Sequence, residues 1–420
     1  MLETDPTACR MSGHWRAYAS TGLMLGVLLI PAANFHVFYI SLILYLLLCG
    51  ASRVVSSNGY VIALCFVLAY VVACSVLRVC LVQDHTLRDV AESIRIVPFI
   101  LVFLLRGRLQ HIRSTHFIWS LQIYLLLDAI VSCAQFFHIT NVPLTLISAV
   151  YNRRAHAETA LTWSSVRALG LSADPAEHGA MLVFMFSVMC AAYLFSRRRP
   201  RCILPSILMA TIVLGLAQSK TAFVAWCLSF PILFISSIAT GRQATHRLVL
   251  LISLLIIVIL PIYASQGEEL TQVNKLLTVV HETWSTGSSQ LSSLQARTWL
   301  WNYYLSVAGQ IGPLWQLIGP GRTYMGNMNM GRVYDSDYIY FLLVHGLFGL
   351  VAVYGLVTYS LLRAAILWTR QTVEKRMLVF ATTAGLFLGL GASYFTNPRI
   401  STLFALLLGL SFRPSSTDPR

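Results

Sequence analysis

Arg167, Lys220, Arg297 and Arg322 are the residues whose type and position point first to chemistry. The apolar pattern of the chain puts them, with Arg153, Arg154, Lys275, Arg332 and Arg399, on the side of a membrane where topology does not call for basic residues. Any one of them can be a solvated charge beside a long loop. Lys220 stands out because it lies in the tight turn Gln218-Ser219-Lys220-Thr221 between two apolar runs. A cation that close to hydrocarbon is expensive unless it is solvated or paired. It can snorkel to the headgroups, or it can share an anionic ligand with the arginines, whose planar forks match phosphate oxygens. The shared ligand is the preferred reading, and a lipid-linked pyrophosphate would supply the charge at that depth.

Carboxylates on that side are fewer. Asp335 and Asp337 lie in Tyr334-Asp335-Ser336-Asp337-Tyr338, where a long loop meets an apolar run. Two residues apart, they diverge on a helix and share a side only on an extended segment, so they are not a ready-made pair. Each can pair with Arg322 or Arg332, cap the following helix, or act as base toward a hydroxyl nucleophile. His345, about two turns further on, is expected to be buried, with packing or a local hydrogen bond as the plain account. Asp335-Ser336-Asp337 is formally an Asp-x-Asp, which keeps a metal role as the weaker alternative. Neither a metal nor a cofactor is expected. The nine cysteines are scattered, nearly all through apolar runs, without a Cys-x-x-Cys pair, so neither a disulfide framework nor a metal site is indicated.

The composition says what must hold these side chains. Of 420 residues, 57% are hydrophobic and 11% charged, with mean hydropathy +0.70, against roughly 25% charged in soluble domains. The expected fold is one all-α polytopic membrane domain over residues 1–420. A span needs about 20 apolar residues. Twelve candidates fall near 17–32, 35–50, 59–79, 91–105, 117–138, 180–196, 202–218, 221–240, 248–264, 337–361, 377–395 and 400–412. The first apolar run, beginning near Thr21, is expected to remain as a span, since it lacks a small-residue cleavage site and many others follow it. The first two candidates can instead be one helix bent around Pro31, and Glu92, Arg95 and Pro98 interrupt the fourth. Short Arg-rich loops stay cytoplasmic. Twelve spans put 197–201, Arg242 with Arg247, and 363–376 on that side, together with both termini.

Segments 140–179 and 265–336 then face the other way and are the candidate working surfaces. Trp299, Trp301, Tyr303 and Tyr304 suit a helix at headgroup level, or one that caps the bundle. The net charge of +14 does not imply nucleic acid, because no zinc-finger, helix-turn-helix or RNA-binding pattern is visible.

Four stretches, taken in order, carry a likeness to a known family. They are Arg167-Ala168-Leu169-Gly170-Leu171-Ser172-Ala173-Asp174-Pro175, Gln218-Ser219-Lys220-Thr221-Ala222, Gln295-Ala296-Arg297-Thr298-Trp299-Leu300-Trp301, and Asp335-Ser336-Asp337-Tyr338 leading to His345-Gly346-Leu347-Phe348-Gly349-Leu350. With the large loop before the tenth span, this order resembles the Wzy/WaaL superfamily of bacterial surface polysaccharide polymerases and O-antigen ligases, over roughly residues 20–412. Family members usually show Ser-Arg-Thr where this chain has Ser219-Lys220-Thr221. Ligases commonly have His-Asn where it has Asp335-Ser336-Asp337, which favours polymerase.

The resemblance implies a GT-C-like bundle of about twelve transmembrane helices in a bacterial inner membrane, with a large periplasmic loop at 265–336 and the active site facing the periplasm. It implies a metal-independent glycosyltransferase that moves a glycan from undecaprenyl pyrophosphate to a hydroxyl of a second lipid-linked repeat unit. Arg297, Asp335, Asp337 and His345 would serve catalysis; Arg167, Lys220, Arg322, Arg332 and Tyr338 would bind substrate. Membrane lipid, a chain-length regulator and a flippase would be partners. The alternatives are an O-antigen ligase, a polysaccharide or lipid transporter, and a scaffold subunit of the export machinery.

Overall fold

Long runs of Leu, Ile, Val, Phe and Ala leave a backbone in lipid one economical choice, which is to satisfy its N–H and C=O groups inside helices. The computed structural model describes residues 24, 29, 69–70, 73–74, 76–78, 80, 114–137, 139, 167–172, 175–196, 200–265, 292–310, 312–321, 336–366, 372–392 and 394–411. Among these, ten helices occur and no strand: α1 (Ser114–Phe136), α2 (Pro175–Phe195), α3 (Ile203–Ala217), α4 (Lys220–Thr240), α5 (Arg242–Ser265), α6 (Ser292–Gln310), α7 (Pro313–Ile318), α8 (Asp337–Ile366), α9 (Val373–Leu388) and α10 (Pro398–Ser411). Four segments, Ser114–Phe136, Pro175–Phe195, Lys220–Thr240 and Asp337–Tyr359, are long and apolar enough to cross a membrane. The chain is a helical membrane protein. The expected spans at 17–32, 35–50, 59–79 and 91–105 lie wholly or largely outside the described residues.

α2 is the axis of the bundle. It is apolar all round, and every residue from His178 to Phe195 is buried, as a helix without a polar face must be. Around it pack α1, α3, α4, α5, α9 and α10. Phe186 meets Trp226 and Phe230 of α4, and Phe195 stacks on Phe380 of α9. The outer helices keep apolar side chains outward, including Ile130 on α1, Ile235 on α4 and Ile257 on α5. That outward stripe is what a lipid-facing surface needs and a water-facing one avoids.

Contacts at both ends of α2 set the helix directions. Near its start, Gly179 approaches Ser219 and Ala222 at the head of α4 so closely that an added Cβ would lie 2.7 and 2.6 Å from their Cβ atoms. At its other end, Arg247 of α5 donates to the carbonyls of Tyr193, Leu194 and Ser196. α2, α4, α8 and α10 therefore begin at one end of the bundle, where α1, α3 and α9 finish.

Two helices differ from the sequence expectation. α9 stops at Leu388 instead of reaching 395, because Asp337 takes the N–H groups of Tyr394 and Phe395 that a continuing helix would have used. α8 is broken at Gly346, whose φ of 71° and ψ of −177° suit glycine alone. The break lets α7 come in: a Cβ on Gly346 would sit 2.2 Å from the Leu317 oxygen, and one on Gly319 would sit 2.4 Å from the Gly346 nitrogen. Arg78, 1% exposed, caps α7 by donating to the Gly319 carbonyl at 2.8 Å and to the Ile318 carbonyl. Tyr70 donates to Leu317 O at 3.3 Å.

Candidate functional site

The end of the bundle where α2 begins is built from polar groups aimed at backbone. Residues 167–172 do not run over the surface there; Ala168, Leu169 and Ser172 are buried between helices. A buried loop must have its amides satisfied, and α1 does this from one face. The Asp128 carboxylate accepts from Leu171 N–H at 2.7 Å, and Gln135 Oε1 accepts from Leu169 and Gly170 N–H at 2.8 and 2.9 Å. Ala168 N–H donates to Leu216 O at the end of α3, 3.0 Å away. Asp128 also meets His178 of α2, Oδ2 to Nε2 at 2.7 Å, while His178 Nδ1 lies 3.0 Å from Ala168 O. Gly170 turns the loop with φ of 54°, and a Cβ there would be 2.2 Å from the Asp128 carboxylate.

Arg399, at the start of α10 and 1% exposed, ties this loop to the rest of the site. Its Nη1 donates to Leu171 O at 2.9 Å and to the Tyr124 hydroxyl at 3.3 Å. Two residues earlier, Asn397 accepts from the Arg399 and Ile400 N–H groups and so caps α10. The preceding loop hangs on Asp337, which is fully buried. One carboxylate oxygen accepts from Tyr394 and Phe395 N–H at 2.8 and 2.6 Å, and the other from the Thr396 hydroxyl at 2.5 Å. Asp337 N–H and the Ser336 hydroxyl both donate to Gly389 O. The result is one connected set of contacts from Asp337 through 394–399 to 167–172 and on to the α3–α4 turn.

Several expected site residues meet in this set. The loop that starts at Arg167 and the turn that leads to Lys220 lie at the same end of α2. Both side chains are half-buried. Burial pulls the Arg167 guanidinium below its ordinary pKa, and the same partial dehydration strengthens its attraction for any anion that arrives. Tyr338 donates to Leu386 O at 2.9 Å and stacks on Tyr354 at 4.2 Å. His345 is buried against Tyr340 and Phe341, directly before the Gly346 break.

Arg297 is the sixth residue of α6, three before Leu300 and seven before Tyr304, the stripe that packs on Ile339 and Leu343 of α8. Its side chain lies outside the described residues, as do Asp335, Arg322 and Arg332. Trp299 and Tyr303 stack 5.7 Å apart on the exposed side of α6, the amphipathic surface expected at headgroup level.

Sequence reasoning passed over Asp128, Gln135 and His178. A signal was available for the first two: Tyr124, Asp128 and Gln135 share one helix face, and an acid inside a span is a functional-site flag by itself. His178 follows the quoted stretch that ends at Pro175 by three residues.

Four helices open at this end, α2, α4, α8 and α10, and α1, α3 and α9 close there, so the half-charges of helix starts and helix finishes oppose one another. Asp337 and Glu177 sit in the first turns of α8 and α2, and Arg167, Lys220 and Arg399 supply the positive side chains. Among the described residues no three His, Cys, Asp or Glu side chains gather as metal ligands would. Compared with protein-family models and with curated proteins, the chain matches none, so its site stands on its own geometry.

Proposed function

We propose that this chain is a bacterial surface polysaccharide polymerase of the inner membrane, using the end of the bundle where α2 begins to bind an undecaprenyl-pyrophosphate-linked glycan. The observation that carries the reading is that the half-buried Arg167 loop and Lys220 turn lie together at the start of α2. A pyrophosphate is the leaving group whose charge such an arrangement would stabilise. In the reaction, the acceptor hydroxyl oxygen bonds to the anomeric carbon, the bond from that carbon to the pyrophosphate oxygen breaks, and the hydroxyl proton passes to a base. Fixed cations would receive the developing negative charge: Arg167, Lys220 and Arg297, with Arg322 and Arg332 from the long loop. Asp335 is the candidate base. Asp337, with three donors already on its carboxylate, contributes through the loop it holds, and Tyr338 and His345 line the same helix. About twelve spans in a GT-C-like arrangement, both termini cytoplasmic, complete the reading.

The test is polymer formation from one lipid-linked repeat unit by matched amounts of wild-type, Arg297→Ala, Arg297→Lys and Lys220→Ala protein. Loss of a charge-assisted phosphate contact in a dehydrated site costs roughly 2–4 kcal/mol, about 30-fold to 1000-fold in rate. Each alanine variant should fall by that amount while remaining folded, and lysine at 297 should keep part of the activity because charge is retained without the fork. Near-normal activity of both alanine variants would sink the proposal. Transfer to lipid A core in place of a second repeat unit would redirect it to a ligase.

A further inference from the structure

The opposite end of the bundle carries a basic groove that the reaction does not use. It opens at the head of α5, has a volume of about 460 Å³, and is lined by Arg242, Gln243, His246, Arg247 and Leu250. We propose that this groove binds the phosphate of an anionic membrane phospholipid whose acyl chain lies along the outer face of α5.

Helix geometry separates two jobs among the basic residues. Ala244, Leu248, Leu251 and Leu255 are buried and turn α5 toward the bundle. Arg247 goes with them; its Nη1 is directed to the Tyr193, Leu194 and Ser196 carbonyls at 3.3, 3.1 and 2.9 Å. Arg242 and His246 lie four residues apart, on the exposed side. Arg242 Nε donates to His246 Nε2 at 3.2 Å, so the ring carries its proton on Nδ1 in this geometry. Holding Arg242 by Nε leaves the terminal guanidinium nitrogens for an oxyanion. The positive end of the α5 dipole adds to the same spot.

The apolar continuation identifies the ligand. Beyond His246 come Val249 and Leu250, 54% and 49% exposed, and further along α5 come Ile256 and Ile257 at 54% and 64% exposed. Free phosphate would use the cations and ignore this stripe. A phospholipid uses both, with its phosphate at the helix head and its chains along the stripe, as at other basic pockets beside membrane helices.

The test uses full-length protein in detergent, titrated with phosphatidylglycerol or phosphatidylcholine and followed by native mass spectrometry of retained lipid. Wild-type protein should retain phosphatidylglycerol in preference to phosphatidylcholine. The pair Arg242→Ala with His246→Ala should lower phosphatidylglycerol retention by about tenfold, the size expected for losing one to two surface phosphate contacts. Arg201→Ala, an exposed arginine in the loop at this end of the bundle, should leave it unchanged, and excess inorganic phosphate should not compete. If the double variant does not fold, Arg242→Gln alone replaces it and should still lose severalfold. Equal retention of the two lipids by wild type, unchanged phosphatidylglycerol retention in the variants, equal loss in Arg201→Ala, or displacement by inorganic phosphate would each overturn the proposal.

Discussion

The two ends of α2 use the same residue type under opposite local fields. At the C-terminal end, Arg247 donates to three terminal carbonyls and Arg376 lies over the Phe195 ring at 4.7 Å. The helix itself calls for these cations, because its last carbonyls are unsatisfied and its dipole is negative there. At the N-terminal end, Arg399, Arg167 and Lys220 lie where four helices start and α1, α3 and α9 finish, so no single helix end calls for them. Among the described residues, Asp128 paired with His178, Glu177 and the saturated Asp337 are the acids at that end. Charge at the first end completes a helix; at the second, Arg399 serves a loop carbonyl and the Tyr124 hydroxyl, while Arg167 and Lys220 stand half-buried beside that loop. The difference sorts arginines that serve helix carbonyls from candidate working ones in a way that counting them does not.

The contrast can be broken most directly at Asp128. Asp128→Ala leaves His178 and the Leu171 N–H buried without their partner and should cost about 3–5 kcal/mol, read as a lowered unfolding midpoint in detergent. Adding His178→Ala should recover part of that loss. Simple addition of the two effects would mean that the pair is not coupled and that the loop is held by other contacts.

Gly170→Ala is the next largest. It imposes a positive φ on a residue with a side chain, a strain of about 1–3 kcal/mol, and pushes the loop off Asp128. Polymer formation per folded molecule should drop with it. A variant that melts early yet polymerises normally would detach the loop from function.

The smallest effect sharpens the comparison from the other end. Arg247→Ala should destabilise by about 1 kcal/mol through the lost carbonyl contacts, with polymer formation per folded molecule unchanged. Equal loss of activity there would erase the distinction between the two ends.

The helices of the described bundle were legible because their apolar runs are long and nearly uninterrupted, and the α6 segment was legible from its aromatic spacing. The partners of the site were not. Asp128 and His178 are 50 residues apart, and Asp337 reaches amides 57 and 58 residues away. Nothing in local pattern links such residues, since each pairing depends on how neighbouring helices are placed. The shortened α9 has the same cause: its run stays apolar to 395, and a carboxylate from another helix ends it. The break at Gly346 was hidden because a glycine in an apolar run reads the same whether or not a second backbone crosses it.

By itself, the sequence determined a helical membrane protein with surplus positive charge at its loops, because a 57% hydrophobic chain with 11% charged residues can bury its backbone in no other way. It also marked Arg167, Lys220 and Asp337 as worth following. Tertiary structure alone decided what those neighbourhoods contact. Hydropathy fixes which residues enter the membrane, whereas the direction and contact of helices fix which carbonyls and amides an arginine or aspartate must serve.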